Sequence, residues 1–319
     1  MAITLPPAPL PAARLRRLLV QRPLVAYFTL ALAGTWLTLL PLLLGQDGLG
    51  LIALRFGDAA ILLALLSTFT GPGLAAYLIT VSTRGRAGVH ALLRRYLQWR
   101  VGLIWYLVAL GGFLSIWLVG ESLWLNGVPL IALVAHPSVL VSAYLLPLPL
   151  FLLLAVGEET GWRGVALPRL QQAYGPCAGT LILALLHGLW HIPALLVPGF
   201  VSGSSFSVPF MVGWIATVIA ATFLYSWIFN HTQGSLLIAS LVHGGANASS
   251  TLLTVVETGH PAVSGWQAVI YQSPWNLANL IPFAVAAAVV IGVTRGRLGY
   301  CPAPPPDLGG RSGGGAGQA

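Results

Sequence analysis

The chain returns again and again to apolar runs of twenty or so residues, and this recurrence restricts its fold more than any other feature. A helix needs roughly 20 apolar residues to cross a hydrocarbon layer about 30 Å thick, and such runs recur from Leu24 to Val293. Backbone amides in hydrocarbon must find their partners within the chain, so each run is expected to be helical. Only 7% of the 319 residues are charged, against roughly a quarter in a soluble domain. The expected fold class is all-α: a polytopic transmembrane helical bundle of about eight spans, at 23–45, 58–82, 101–120, 130–157, 177–197, 209–230, 234–256 and 268–294.

Residues 1–22 and 298–319 read as disordered tails, because Pro and Ala dominate the first and Pro then Gly the second. One transmembrane domain, 23–297, remains between them. Arg14, Arg16, Arg17 and Arg22 precede an apolar run that is too long for the core of a signal peptide, so the first span is expected to stay uncleaved. All 15 basic residues are arginines. With the N-terminus inside, every one except Arg55 falls in a cytoplasmic segment, while Asp47, Glu121 and Glu257, with Asp58 close by, fall on the other side. A multi-pass protein of the cell membrane with both termini cytoplasmic is therefore expected. Because the arginines lie between apolar segments, they read as topology signals or contacts to anionic lipid headgroups, and no nucleic-acid partner is expected.

Segment Thr83–Arg100 mixes arginines with Val89, Leu92, Leu93, Tyr96, Leu97 and Trp99, which fits either an interfacial amphipathic helix or a solvated basic loop. Gly71-Pro72-Gly73 is predicted to kink the second span, and Pro147 and Pro149 the fourth. Cys177 and Cys301 are far apart, so neither a disulfide framework nor a zinc-thiolate site is indicated.

Ionisable groups in hydrocarbon cost about 2.5–3.5 kcal/mol each on insertion scales and persist where they face an interior cavity with partners. Three apolar segments carry them in helical register. Glu158, Glu159 and Arg163 follow the run Leu150–Val156; Glu159 and Arg163 share a face as i and i+4, while Glu158 points about 100° away. This triplet could equally be a surface ion pair at a helix end. His187 and His191, and then His243 and Asn247, repeat the i, i+4 spacing on two later spans. Gly244, Gly245 and Ala246 would let another helix approach closely. Glu158 with His191 could activate a water as general base and partner, and His243 with Asn247 could donate to an oxyanion. Alternatively Glu158, His191 and His243 could hold a zinc ion with one position open for water.

Taken together, Glu158-Glu159-x-x-x-Arg163, His187-x-x-x-His191 and His243-x-x-x-Asn247, in this order on separate spans, resemble the CPBP family of CAAX proteases and bacteriocin-processing enzymes, also called the Abi family. The motif core covers about 157–248; Gly71-Pro72-Gly73 and the segment Arg94-Arg95-x-x-x-Trp99-Arg100 extend the likeness. The resemblance implies an intramembrane endopeptidase in which Glu158 is catalytic, His191 assists it, and His243 and Asn247 complete the site and stabilise the oxyanion. Glu159 and Arg163 would support it. One position departs from the family pattern: His187 stands where Phe is usual, which leaves open whether it adds a ligand. The family has been described both as metal-dependent and as glutamate-dependent, so the resemblance permits zinc without requiring it. The implied partner is a peptide or lipidated protein substrate at the bilayer.

Two other classes use the same residues. A transporter or proton-coupled carrier would run a Glu/His relay through the bundle, and a catalytically inactive immunity or partner-binding protein would keep the site without chemistry. A GxSxG elbow and a phosphate-binding loop are both absent from the sequence, so the serine-hydrolase and nucleotide-driven pump readings lose support.

Overall fold

The computed structural model describes residues 19–57, 60–124, 128–197, 208–258 and 277–302. All regular elements among them are helical. Helix α1 spans Pro23–Leu44 and starts on a proline, whose missing N–H is unneeded in a first turn. Helix α2 (Ala60–Thr68) passes through a π turn, Phe69–Gly73, into α3 (Leu74–Arg94). Next come α4 (Leu103–Leu107), a second π turn (Val108–Gly112), α5 (Phe113–Trp124) and α6 (Val128–Ala135). A single turn at Ser138–Leu140 and a π turn at Val141–Leu145 lead into α7 (Leu148–Gly161). A fourth π turn, Trp162–Ala166, joins it to α8 (Leu167–Tyr174). The chain continues as α9 (Pro176–Trp190), α10 (Ile192–Leu195), α11 (Val208–His231), α12 (Leu236–Thr258) and α13 (Leu277–Val293).

Five of these segments, 23–44, 60–97, 103–120, 138–174 and 211–231, are long and apolar enough to cross a bilayer, and 176–190 and 280–293 are shorter apolar helices. The protein is an all-α integral membrane protein. Two expected spans differ from the helices found. The run 130–157 is interrupted at His136-Pro137, where the ring removes an amide donor, and the helical path then extends from Ser138 to Tyr174. Glu158 and Glu159 thus lie within a continuous helical segment and not at its end. The span expected at 177–197 stops at Trp190, and Pro193 sits in the first turn of the short α10. Residues 268–276 of the last expected span, the N-terminal residues 1–18 and residues 303–319 lie outside the described residues. Within the segment expected to be a C-terminal tail, Leu298 is wholly buried, and its carbonyl accepts from Asn230 Nδ2 at 2.9 Å.

The predicted kink at Gly71-Pro72-Gly73 is the first π turn, and it faces the glycines of α7. A Cβ on Gly157 would run into the Thr68 side chain, and one on Gly161 would meet the Pro72 carbonyl at 2.6 Å. Close approach therefore fixes where α7 sits against α2 and α3. On its other side α7 packs along α12, where a Cβ on Gly244 would be 2.7 Å from Leu152. The core beside this junction is aromatic: Tyr27, Phe28 and Trp162 are buried, with Tyr27 edge-on to Trp162 at 5.7 Å between ring centres.

The Thr83–Arg100 segment is helical to Arg94 and closes with one 3₁₀ turn, Arg95–Leu97. Gly85 interrupts it at φ 65°, a left-handed conformation that glycine adopts without a Cβ clash. The helical path from Ala60 to Leu97 has 38 residues, nearly twice the roughly 20 needed to span hydrocarbon; the break at Gly85 separates the spanning part from a surface part.

Because Gly157 has no room for a methyl group, Gly157→Ala should lower unfolding stability by about 1–3 kcal/mol, the usual cost of overpacking. Denaturant unfolding of the detergent-solubilised protein measures it, and an unchanged midpoint would mean that α7 does not rest on Thr68.

Candidate active site

Helix α7 is apolar up to Val156 and then presents Gly157-Glu158-Glu159. Successive residues are turned by about 100°, so the two carboxylates meet different neighbours. Glu159 Oε1 accepts from Arg163 Nη1 at 2.8 Å and from His243 Nδ1 at 2.8 Å. The Glu159 and Arg163 side chains are both 0% exposed. Tyr225 of α11 covers the guanidinium, 4.7 Å from its carbon to the ring centre. A carboxylate can only accept, so the bond to Glu159 requires the proton of His243 on Nδ1. Nε2 of that ring then faces Glu158, 3.9 Å from Oε1.

Glu158 is also buried, yet it borders a cavity. Its Oε2 accepts from Trp162 Nε1 at 3.3 Å and lies 3.1 Å from His187 Nε2. Glu158–Trp162 and Glu159–Arg163 are thus two i, i+4 pairs side by side on one helix. His191, at the end of α9, donates from Nδ1 to the His187 carbonyl at 2.9 Å, which leaves Nε2 as its proton-accepting or ligating nitrogen. The His191 ring stands between Trp190 and Trp214, at 4.5 Å and 4.3 Å between ring centres. Trp190 is fixed in turn: its Nε1 donates to Thr35 Oγ1 at 2.7 Å, and Thr35 donates to the Ser67 carbonyl at 2.7 Å. These bonds tie the histidine end of α9 to α1 and α2.

The cavity measures about 170 Å³ and is lined by Glu158, His187, His191, His243 and Asn247. Thr35, Thr68, Thr222 and Ser250 add hydroxyl groups, while Phe113, Trp117, Phe151 and Phe283 supply apolar wall. Glu159 and Arg163 stand behind it. The structure thus brings residues from all three motif segments to one space. Two details differ from the spacing-based expectation. His187, and not His191, makes the direct contact with Glu158. One group whose ligand atoms lie within 4.8 Å of one another is Glu158, His187 and His191, while His243 of the expected trio bonds Glu159 through Nδ1 and faces Glu158 with Nε2. Trp162, Trp190, Trp214, Tyr225 and Thr35 were not among the candidate site residues. Only Trp162 had a readable signal, its i+4 spacing from Glu158.

Residues 140–249 match the family described as "Type II CAAX prenyl endopeptidase Rce1-like". A stretch of 110 residues, 34% of this chain, is 26% identical to "CAAX prenyl protease 2" of Methanococcus maripaludis, and the match covers 41% of that relative's length. The matched range spans Glu158, Glu159, Arg163, His187, His191, His243 and Asn247. Both comparisons support the resemblance to the CPBP intramembrane proteases that the motifs carry.

Removing one partner of a buried ion pair leaves the other charge without compensation, at about 3–5 kcal/mol. Arg163→Met should therefore destabilise the fold by that amount, and Glu159→Gln/Arg163→Met should recover part of it. Unfolding of the single and double variants tests this, and additive losses would show that the two side chains are not coupled.

Proposed function

We propose that the protein is an intramembrane endopeptidase that hydrolyses a peptide bond of a membrane-associated substrate, with Glu158 as general base. The observation that carries this reading is the asymmetry of the Glu158 carboxylate. Oε2 is held by Trp162 and His187, whereas Oε1 faces His243 Nε2 across 3.9 Å, too long for a direct hydrogen bond and close enough for one water in the cavity to touch both. A water held there would lose a proton to Glu158 as its oxygen attacks a carbonyl carbon in the cavity. Asn247, one turn along α12 from His243, lines the same cavity and would donate to the oxyanion. The proton on Glu158 then passes to the leaving amine. Glu159, pinned by Arg163, keeps His243 in the Nδ1–H tautomer and takes no proton itself.

Glu158, His187 and His191 also fit a zinc ion: one carboxylate and two imidazoles leave a position open for water, and the bond from His191 Nδ1 to a backbone carbonyl is the support a ligating imidazole requires. When bound, zinc would polarise the substrate carbonyl and acidify the water. With zinc bound, Glu158 and His187 would be ligands and would no longer hydrogen-bond each other, so the general-base role of Glu158 belongs to the metal-free reading.

A CAAX-type prenylated protein or a bacteriocin-type peptide is the substrate class that the family likeness favours. We place both chain ends on the cytoplasmic side of the cell membrane, since the exposed Arg84, Arg86, Arg94 and Arg100 follow the positive-inside pattern.

Purified protein should cleave a prenylated CAAX peptide, and Glu158→Gln should lose at least about 10²-fold in rate while keeping its unfolding midpoint. Uptake driven by pH, with no peptide product, would sink this reading in favour of a carrier. Asn247→Ala should lower kcat by about 10²–10³-fold with KM little changed, as steady-state cleavage rates would show. A chelator lane decides whether zinc takes part.

A further inference from the structure

The surface segment that follows Gly85 has two faces with different tasks. Its inner face holds the site helices together. Arg95 Nε donates to the Gly234 carbonyl at 2.8 Å and Nη1 to the Gly164 carbonyl at 3.2 Å, and its guanidinium lies 5.0 Å from the Phe229 ring centre. Gly164 belongs to the π turn that carries Arg163, and Gly234 to the turn between α11 and α12. Next to it, Tyr96 bonds through its hydroxyl to the Val156 carbonyl at 3.1 Å and to Thr160 Oγ1 at 2.8 Å, both on α7, while Ser235 Oγ donates to the Gln98 carbonyl at 2.8 Å. A single short stretch therefore grips the glutamate helix, its π turn and the start of the helix bearing His243.

The outer face is unlike any protein-covered surface. Arg86, Arg94 and Arg100 are exposed, together with Leu93, Leu97 and Trp99 at 52%, 74% and 57%. Glu158 and Glu159 form ion pairs with Arg163, His187 and His243, and no ion pair among the described residues involves these three arginines. Arg100 lies over the Trp99 ring at 4.9 Å. Cations beside leucine and tryptophan side chains, on a segment that leaves a transmembrane span at a glycine break, match the chemistry of a bilayer surface carrying negative phospholipid headgroups.

We propose that segment 86–100 is a docking surface for anionic phospholipid headgroups, and that Arg95 and Tyr96 on its inner face pass headgroup occupancy on to the helices bearing Glu158 and His243. This coupling does not depend on peptide hydrolysis. The segment's position against α7 and α12 is what lipid contact would stiffen, and the π turn at Gly164 is where the stiffening would be felt.

The test uses full-length protein in micelles supplemented with phosphatidylglycerol or phosphatidylcholine at equal ratio, reading lipid retention by native mass spectrometry and amide exchange at 161–166 and 230–235. Wild type should retain phosphatidylglycerol preferentially and exchange more slowly with it. The triple variant Arg86→Gln/Arg94→Gln/Arg100→Gln should retain roughly tenfold less or lower still and show no slowing. Arg95→Met and Tyr96→Phe should keep the lipid but lose the slowing; Tyr96→Phe deletes one hydroxyl and serves if Arg95→Met fails to fold. Equal retention of the two lipids, undiminished retention by the triple variant, slowing that survives in Tyr96→Phe, or the same slowing with inorganic phosphate alone would each overturn the proposal.

Discussion

An ionised side chain cannot stand alone in an apolar interior, and the pairing of Glu159 with Arg163 is the point from which the rest of the site is organised. Both side chains are fully buried, so each makes the other's burial tolerable. The same Glu159 oxygen also receives His243 from α12, and Tyr225 from α11 closes over the guanidinium. Three helices are thereby held by one charged knot. The close approach of α7 to the Phe69–Gly73 π turn through Gly157 and Gly161 brings α1 and α2 into contact with it, and with them Thr35, which steadies Trp190.

Adjacent glutamates on a helix would repel if they faced the same way. The 100° step per residue separates them, and their surroundings then divide two tasks between two identical groups. Glu159 accepts from Arg163 and His243 through Oε1 and lies behind the cavity. Glu158 is anchored by one oxygen and presents the other to the cavity. The structural carboxylate determines the tautomer of His243, and through it what Glu158 encounters at 3.9 Å.

Much of this was legible in the amino-acid order. Hydropathy alone announced the helical class and most of the spans, because hydrocarbon admits few alternatives. The i, i+4 spacing of Glu159 and Arg163 foretold their ion pair, and the pair of glycines at 244 and 245 foretold close packing on α12. Less was legible where long-range geometry decides. Spacing within α9 put His187 and His191 on one face but could not say which would reach Glu158. The swing of His243 toward Glu159 depends on how α12 docks against α7. Thr35 and Tyr225 reach the site from distant segments with no local pattern. The break at His136-Pro137 was hidden because the apolar run continues on both sides of it.

Among the described residues, four π turns interrupt the helices, at 69–73, 108–112, 141–145 and 162–166. Each holds one residue more than an α-helical turn, so each acts as an indexing joint between the two halves of a rod. Excising a single residue from such a turn would restore regular winding and rotate everything beyond it by about 100°. The turn at 162–166 sets the phase between the half that carries the glutamates and α8. A change in chain length there would act as a change in angle, re-aiming a whole half-helix while leaving its composition untouched.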